Sequence, residues 1–107
     1  MKLISAVLPV AGFEQVHEAL RTLGIPGVTV TSVFARGLRR AGYEVYRGAR
    51  RRVELHPAVR LDVVTADRDA ADVVQVIAVA GVVGRVWVTP VEQVVRIRTR
   101  ERGEAAL

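Results

Sequence analysis

Two arginines near the end of the chain, Arg96 and Arg98, are the residues whose type and spacing best suit chemistry. In an extended segment over 94–99 (VVRIRT) they share one face, and Val95 and Ile97 take the other. Two parallel guanidinium forks on a strand suit a polyphosphate, and a salt-bridged surface strand is the plainer alternative. A second basic group lies earlier. Arg36, Arg39, Arg40, Arg47, Arg50, Arg51 and Arg52 crowd residues 36–52, where they can grip phosphate or carboxylate or simply keep a long loop solvated. His17 and His56 have no cysteine or carboxylate at ligand spacing, so both read as surface or packed histidines and no metal site is expected. Asp67, Asp69 and Asp72 open a helix, where carboxylates favour the positive end of the dipole without acid–base work. No catalytic constellation stands out, so the expected chemistry is binding without turnover.

The composition sets the frame for these groups. A chain of 107 residues is one domain's worth, and half of its residues are apolar. Mean hydropathy is +0.26, high for a body with much surface and little interior, so part of the apolar surface is expected to be buried against other copies. The five aromatic residues, Phe13, Phe34, Tyr43, Tyr46 and Trp87, leave few platforms for stacking bases, which counts against a single-strand nucleic-acid binder. Without cysteine there are no disulfides or thiolate sites. No apolar run is long enough to span a membrane, and the first residues are too short a run for a signal peptide. A soluble, cytoplasmic protein is expected, with a net charge of +5 concentrated locally in the arginines.

The elements that must position these groups follow from periodicity. Residues 2–10 are β-branched and apolar and read as a strand. Residues 12–23 place Phe13, Val16, Ala19, Leu20 and Leu23 on one helical stripe, with Gly24 as the stop. A turn at Ile25, Pro26 and Gly27 leads to a strand over 28–35. Residues 37–52 show no consistent period and read as a long functional loop. A strand over 59–65 follows, then a helix over 67–80 with Ala70, Val73, Val74, Ile77 and Ala80 inward, Asp67 as N-cap and Gly81 as stop. Residues 85–89 form the fourth strand. The order β-α-β, loop, β-α-β predicts an α+β, ferredoxin-like antiparallel sandwich with both helices on one face. The strands are apolar at too many positions for the second face to meet water, so a closed homo-oligomer is expected.

These pieces together resemble the PII family of nitrogen and carbon signalling proteins along almost the whole chain. Residues 95–107 (VRIRTRERGEAAL) resemble the family's R-I-R-T-G-E-x-G-x-x-A ending, with Arg100 in place of the usual glycine. Residues 24–31 (GIPGVTVT) resemble its G-I-x-G-M-T-V-T segment, and residues 46–49 (YRGA) resemble part of its T-loop. The resemblance implies a homotrimer whose clefts between subunits bind ATP, ADP or AMP, and whose T-loop controls a membrane transporter or a metabolic enzyme. Carried over, Arg96 and Arg98 face the phosphates, Gly27, Val28 and Thr29 line the adenine and ribose side, and Gly37 and Val64 contribute across the cleft. Gly84 and Arg85 belong to the phosphate loop. Arg39, Arg40, Tyr43, Tyr46, Arg47, Arg50 and Arg51 belong to the partner-binding T-loop, residues 37–52.

Departures from the pattern shape the expectation. The family's phosphate loop, T-G-x-x-G-D-G-K, is cut to residues 80–85 (AGVVGR), which removes backbone amides from an anion nest. The glutamine and lysine that serve 2-oxoglutarate are Arg39 and Ala58, and the modified tyrosine and serine are Arg51 and Ala49. The chain is therefore expected to lack 2-oxoglutarate sensing and nucleotidylation while keeping the trimer and a weaker nucleotide or anion site. Two other readings stand beside this one. The first is the same trimer as an interaction module with degenerate clefts that bind no nucleotide. The second is nucleic-acid binding through the arginine-rich loop, disfavoured by the missing aromatic signature.

Overall fold

The computed structural model describes residues 1–38, 42–46, 49–53 and 55–107, with side chains described outside 39–54. Strand β1 (Lys2–Pro9) ends in a single 3₁₀ turn and leads into helix α1 (Phe13–Leu23). Val16 and Leu20, one turn apart, are the buried anchors of α1. Gly24 ends the helix in the left-handed region at φ 94°. Its N–H bonds to the Arg21 carbonyl and the Ile25 N–H to the Leu20 carbonyl, the paired closure of a Schellman motif.

Strand β2 (Thr29–Ala35) follows, then β3 (Gly42–Tyr46) and β4 (Ala49–Val53). β3 and β4 pair antiparallel as a separate two-stranded sheet, with Glu44 opposite Arg51 in register. This corrects the expectation of a loop without regular structure over 37–52. Tyr43, Val45 and Tyr46 carry ordinary strand propensity, and the arginine run on the return strand hid the period. Of the predicted T-loop residues, Arg39, Arg40 and Arg47 lie outside the described residues, and Tyr43, Tyr46, Arg50 and Arg51 are described only by their places on the two strands.

Strand β5 (His56–Thr65), helix α2 (Asp67–Gly81) and strand β6 (Arg85–Pro90) complete the chain's regular elements. The main sheet is fully antiparallel in the order β2-β5-β1-β6, as the double β-α-β pattern requires. Register sorts the two faces. Ile4, Ala6 and Leu8 lie opposite Val63, Leu61 and Val59, and with Val16, Leu20, Val73 and Ile77 they make the core beneath the helices. Burying that many aliphatic side chains is the main source of stability in a domain with few aromatics.

Two end signals of α2 differ from the sequence reading. Ala66, not Asp67, occupies the N-cap, and no side chain caps the helix. Asp67 instead accepts the Met1 amino group at 2.8 Å, an ion pair that holds its carboxyl below the usual range. Gly81 is the last helical residue and no stop. A Cβ there would sit 3.4 Å from the Leu8 side chain and 3.5 Å from Val16, ordinary contact distances, so packing does not demand glycine at this position. The chain turns at Val82, φ 60° and ψ −50°, with the Val83 N–H bonded to the Gly81 carbonyl at 2.6 Å. This is a classic γ-turn, a strained form, and it is built on a β-branched residue.

Residues 94–102 also depart from expectation. Only Val95 and Arg102 form a bridge, and residues 97–99 turn, closed by bonds from the Arg96 N–H to the Glu101 carbonyl and from the Arg100 N–H to the Arg96 carbonyl. Arg98 therefore does not share a strand face with Arg96, and Ile97 is almost fully exposed. The turn places Arg100 at φ 63°, the left-handed region that suits glycine. Val82→Gly and Arg100→Gly are each expected to raise stability by about 1 kcal/mol, since relief of the left-handed penalty outweighs the added freedom of the unfolded chain. Urea unfolding measures this directly, and a lowered midpoint for both variants contradicts the strain.

Candidate functional site

The side of the sheet away from the helices follows from the alternation of the strands. It carries Leu3, Ser5 and Val7 of β1, Ala58, Arg60, Asp62 and Val64 of β5, Thr29, Thr31 and Val33 of β2, and Arg85 and Trp87 of β6. The face is thus mixed, where the sequence reading expected it apolar, because the charges sit at alternate positions of an otherwise aliphatic strand. The Ser5 hydroxyl, fully buried, donates to Asp62 Oδ1 at 2.6 Å. Arg60 donates through Nε to Asp62 Oδ2 at 3.2 Å and through Nη2 to Oδ1 at 3.3 Å, while its guanidinium lies 5.4 Å from the centre of the Trp87 ring. Partial burial pushes the Asp62 carboxyl up, but the Ser5 hydroxyl and the Arg60 guanidinium outweigh it and hold the group below its ordinary value.

Beside this network opens a cavity of about 880 Å³. The Gly24 to Gly27 turn forms one wall. Thr29, Asp62 and Val64 come from the sheet, Arg68 from the first turn of α2, and Arg96 and Leu107 from the last segment. Its guanidiniums are already engaged: Arg68 donates to Glu104 at 2.9 Å, and Arg96 Nη2 donates to the Leu107 carbonyl at 2.8 Å. Gly27 has open space where a Cβ would stand, so no local packing demands glycine there.

The predicted nucleotide-binding residues fall into two groups. Gly27, Thr29, Val64 and Arg96 line this cavity. Gly37, Gly84 and Arg85 meet elsewhere, with Arg85 Nη2 3.6 Å from where a Cβ on Gly37 would lie. Gly27 and Gly37 flank the two ends of the seven-residue β2, which puts them roughly 20 Å apart. Val64 and Arg85 lie opposite Leu3 and Val7 at different levels of β1. One chain therefore holds these residues as two separate groups. Val28 turns inward and packs against the core, and Arg98, in its turn, does not line the cavity. The sequence reading missed Ser5, Arg60, Asp62 and Arg68. The signal for two of them was visible, since charged residues at i and i+2 inside an aliphatic strand share one face. His17 stacks on Phe13, 5.3 Å between ring centres, and so serves packing. Among the described residues no group of three metal-ligating side chains comes together, and no helix is long and apolar enough to cross a membrane.

A four-stranded antiparallel sheet in this order, with two helices on one face and a separate two-stranded sheet between β2 and β5, defines a ferredoxin-like α+β domain. The family model described as nitrogen regulatory protein P-II matches residues 1–101. The chain is 38% identical to nitrogen regulatory protein GlnK of Escherichia coli (strain K12) and 40% identical to nitrogen regulatory protein P-II of Azospirillum brasilense, each over 112 aligned positions covering 100% of both chains. It is 38% identical, again over the whole of both chains, to nitrogen regulatory protein P-II of Rhizobium meliloti (strain 1021). The chain belongs to the P-II family of nitrogen regulatory proteins and is a signal-transduction regulator.

Proposed function

We propose that three copies close their open sheet faces around a common axis, so that the Gly27, Thr29, Val64 and Arg96 half-site of one copy meets the Gly37, Gly84 and Arg85 half-site of the next. The ligand is an adenine nucleotide. Its base and ribose lie along Gly27, Thr29 and Val64, with the Asp62 carboxylate in reach of a ribose hydroxyl, and its phosphates lie between Arg96 and the neighbour's Arg85. The observation that carries this reading is the separation of the two groups by the length of a strand in a single chain. Nucleotide occupancy then sets the state of the β3–β4 hairpin, which docks on a transporter or enzyme of nitrogen or carbon metabolism. With Arg39, Ala58, Ala49 and Arg51 at the effector and modification positions, the adenine nucleotide is the signal, without 2-oxoglutarate or covalent nucleotidylation.

Calorimetric titration with ATP, ADP and AMP tests this. At least one is expected to bind, and Arg96→Ala is expected to weaken it by roughly 10- to 100-fold, the worth of a charge-assisted hydrogen bond. Absence of heat with all three removes the nucleotide from the proposal. A second reading, the same assembly as an interaction module with empty clefts, draws on the engagement of Arg96 by the Leu107 carbonyl and on the short Gly81 to Arg85 turn with its few free amides. Under it, Arg96→Ala leaves partner binding intact.

A further inference from the structure

The two helices carry more apolar surface than the sheet uses. Leu23 is predicted from its spacing to face the core, yet it is 41% exposed, and Val79 is 68% exposed. Ala19 and Leu23 of α1 lie one turn apart, as do Val76 and Val79 of α2, and together they floor a groove of about 980 Å³ between the helices, with Val76 also packed against the core below. Its rim is not neutral. Glu14 and Glu18 stand along it and no arginine or lysine lines it, on a chain whose net charge is +5. Glu18 reaches Arg21 only at 3.6 Å between two well-exposed side chains, a contact of little strength, and Glu14 has no ion pair among the described residues. The groove lies on the opposite side of the molecule from the open sheet face.

We infer that this groove is a docking site for a basic amphipathic helix of a partner protein. Two aliphatic anchors one turn apart on the incoming helix would fill the floor between Leu23 and Val79, and lysines or arginines beside them would meet Glu14 and Glu18. An acidic rim around an apolar floor selects that occupant over an acidic or neutral helix, by the helix-in-groove mode of recognition. It selects against the sign that the rest of the surface attracts.

That opposition makes the test sharp. Two labelled 14-residue peptides with the same leucine pattern, one with lysine and one with glutamate at the polar positions, are titrated with the full-length protein by fluorescence anisotropy. Attraction by overall charge favours the glutamate peptide, whereas the groove is expected to bind the lysine peptide at least tenfold more tightly. Val79→Asp and the double reversal Glu14→Lys with Glu18→Lys should each weaken that binding at least tenfold, with the circular-dichroism melt retained. All three sites are exposed, so folding is not at stake, and amide shifts on peptide addition should map to α1 and α2. Preference for the glutamate peptide, equal binding by Val79→Asp, or shifts confined to the open sheet face overturns the inference. So does an assembly that grows with protein concentration and is abolished by Val79→Asp, since the occupant is then a second copy of the chain.

Discussion

Mixing a chain that carries Arg96→Ala with one that carries Arg85→Ala is expected to restore full-strength nucleotide binding that each has lost alone. Each variant breaks a different half-site, and in a pure trimer every cleft contains the broken half. When the two are unfolded together and refolded in equal amounts, a cleft is intact wherever the sound Arg85 of one copy faces the sound Arg96 of its neighbour. Random assembly makes that true of roughly a quarter of the clefts in a closed ring. Calorimetric stoichiometry of the remixed sample reads the fraction, and native mass spectrometry shows whether mixed trimers formed. Mixed trimers that bind nothing would place the ligand wholly within one chain or nowhere, and either result ends the shared-cleft proposal.

Gly84→Ala is expected to cost about 3 to 4 kcal/mol, a large share of the usual 5 to 15 kcal/mol of a small domain. Gly84 holds φ 128°, where only glycine is at ease, and a Cβ there would collide with the Val7 carbonyl oxygen and press on Leu8. Both neighbours belong to β1, the strand paired on both sides, so neither can retreat without breaking ladder bonds. Gly81→Ala, three residues earlier, is the internal control. Its Cβ meets only ordinary contacts at 3.4 and 3.5 Å, and alanine is the better helix former by about 1 kcal/mol, so this variant should be neutral or slightly more stable. Equal denaturation midpoints for the two variants would show that the approach at Gly84 does not matter.

Much of this architecture was legible from periodicity, because the core is aliphatic and each element buries one clean stripe. Val16 and Leu20, Val73 and Ile77, and the alternation through Ile4, Ala6 and Leu8 sit where the apolar spacing put them. Three kinds of signal were not readable. The hairpin of β3 and β4 lay beneath a run of arginines that obscures a two-residue period. The turn at 97–99 could not be told from a strand, because V-R-I-R alternates perfectly until backbone hydrogen bonds across Arg96 and Glu101 close the chain on itself. Gly81 and Gly84 looked like one loop signal, yet the first is helical with room for a side chain while the second is held by a close backbone approach. For the candidate site, resemblance supplied residue names without their grouping. Only the fold separates Gly27 and Arg96 from Gly37 and Arg85, and only register reveals that Arg60 and Asp62 share a face with Ser5.

The stacking of Arg60 on Trp87 has one more outcome. The chain contains a single tryptophan, and it stands on the sheet face through which copies are proposed to associate. Its indole is therefore a native optical gauge of that contact: emission that shifts to the red on dilution reports separation of the subunits, without a label and without disturbing either half-site.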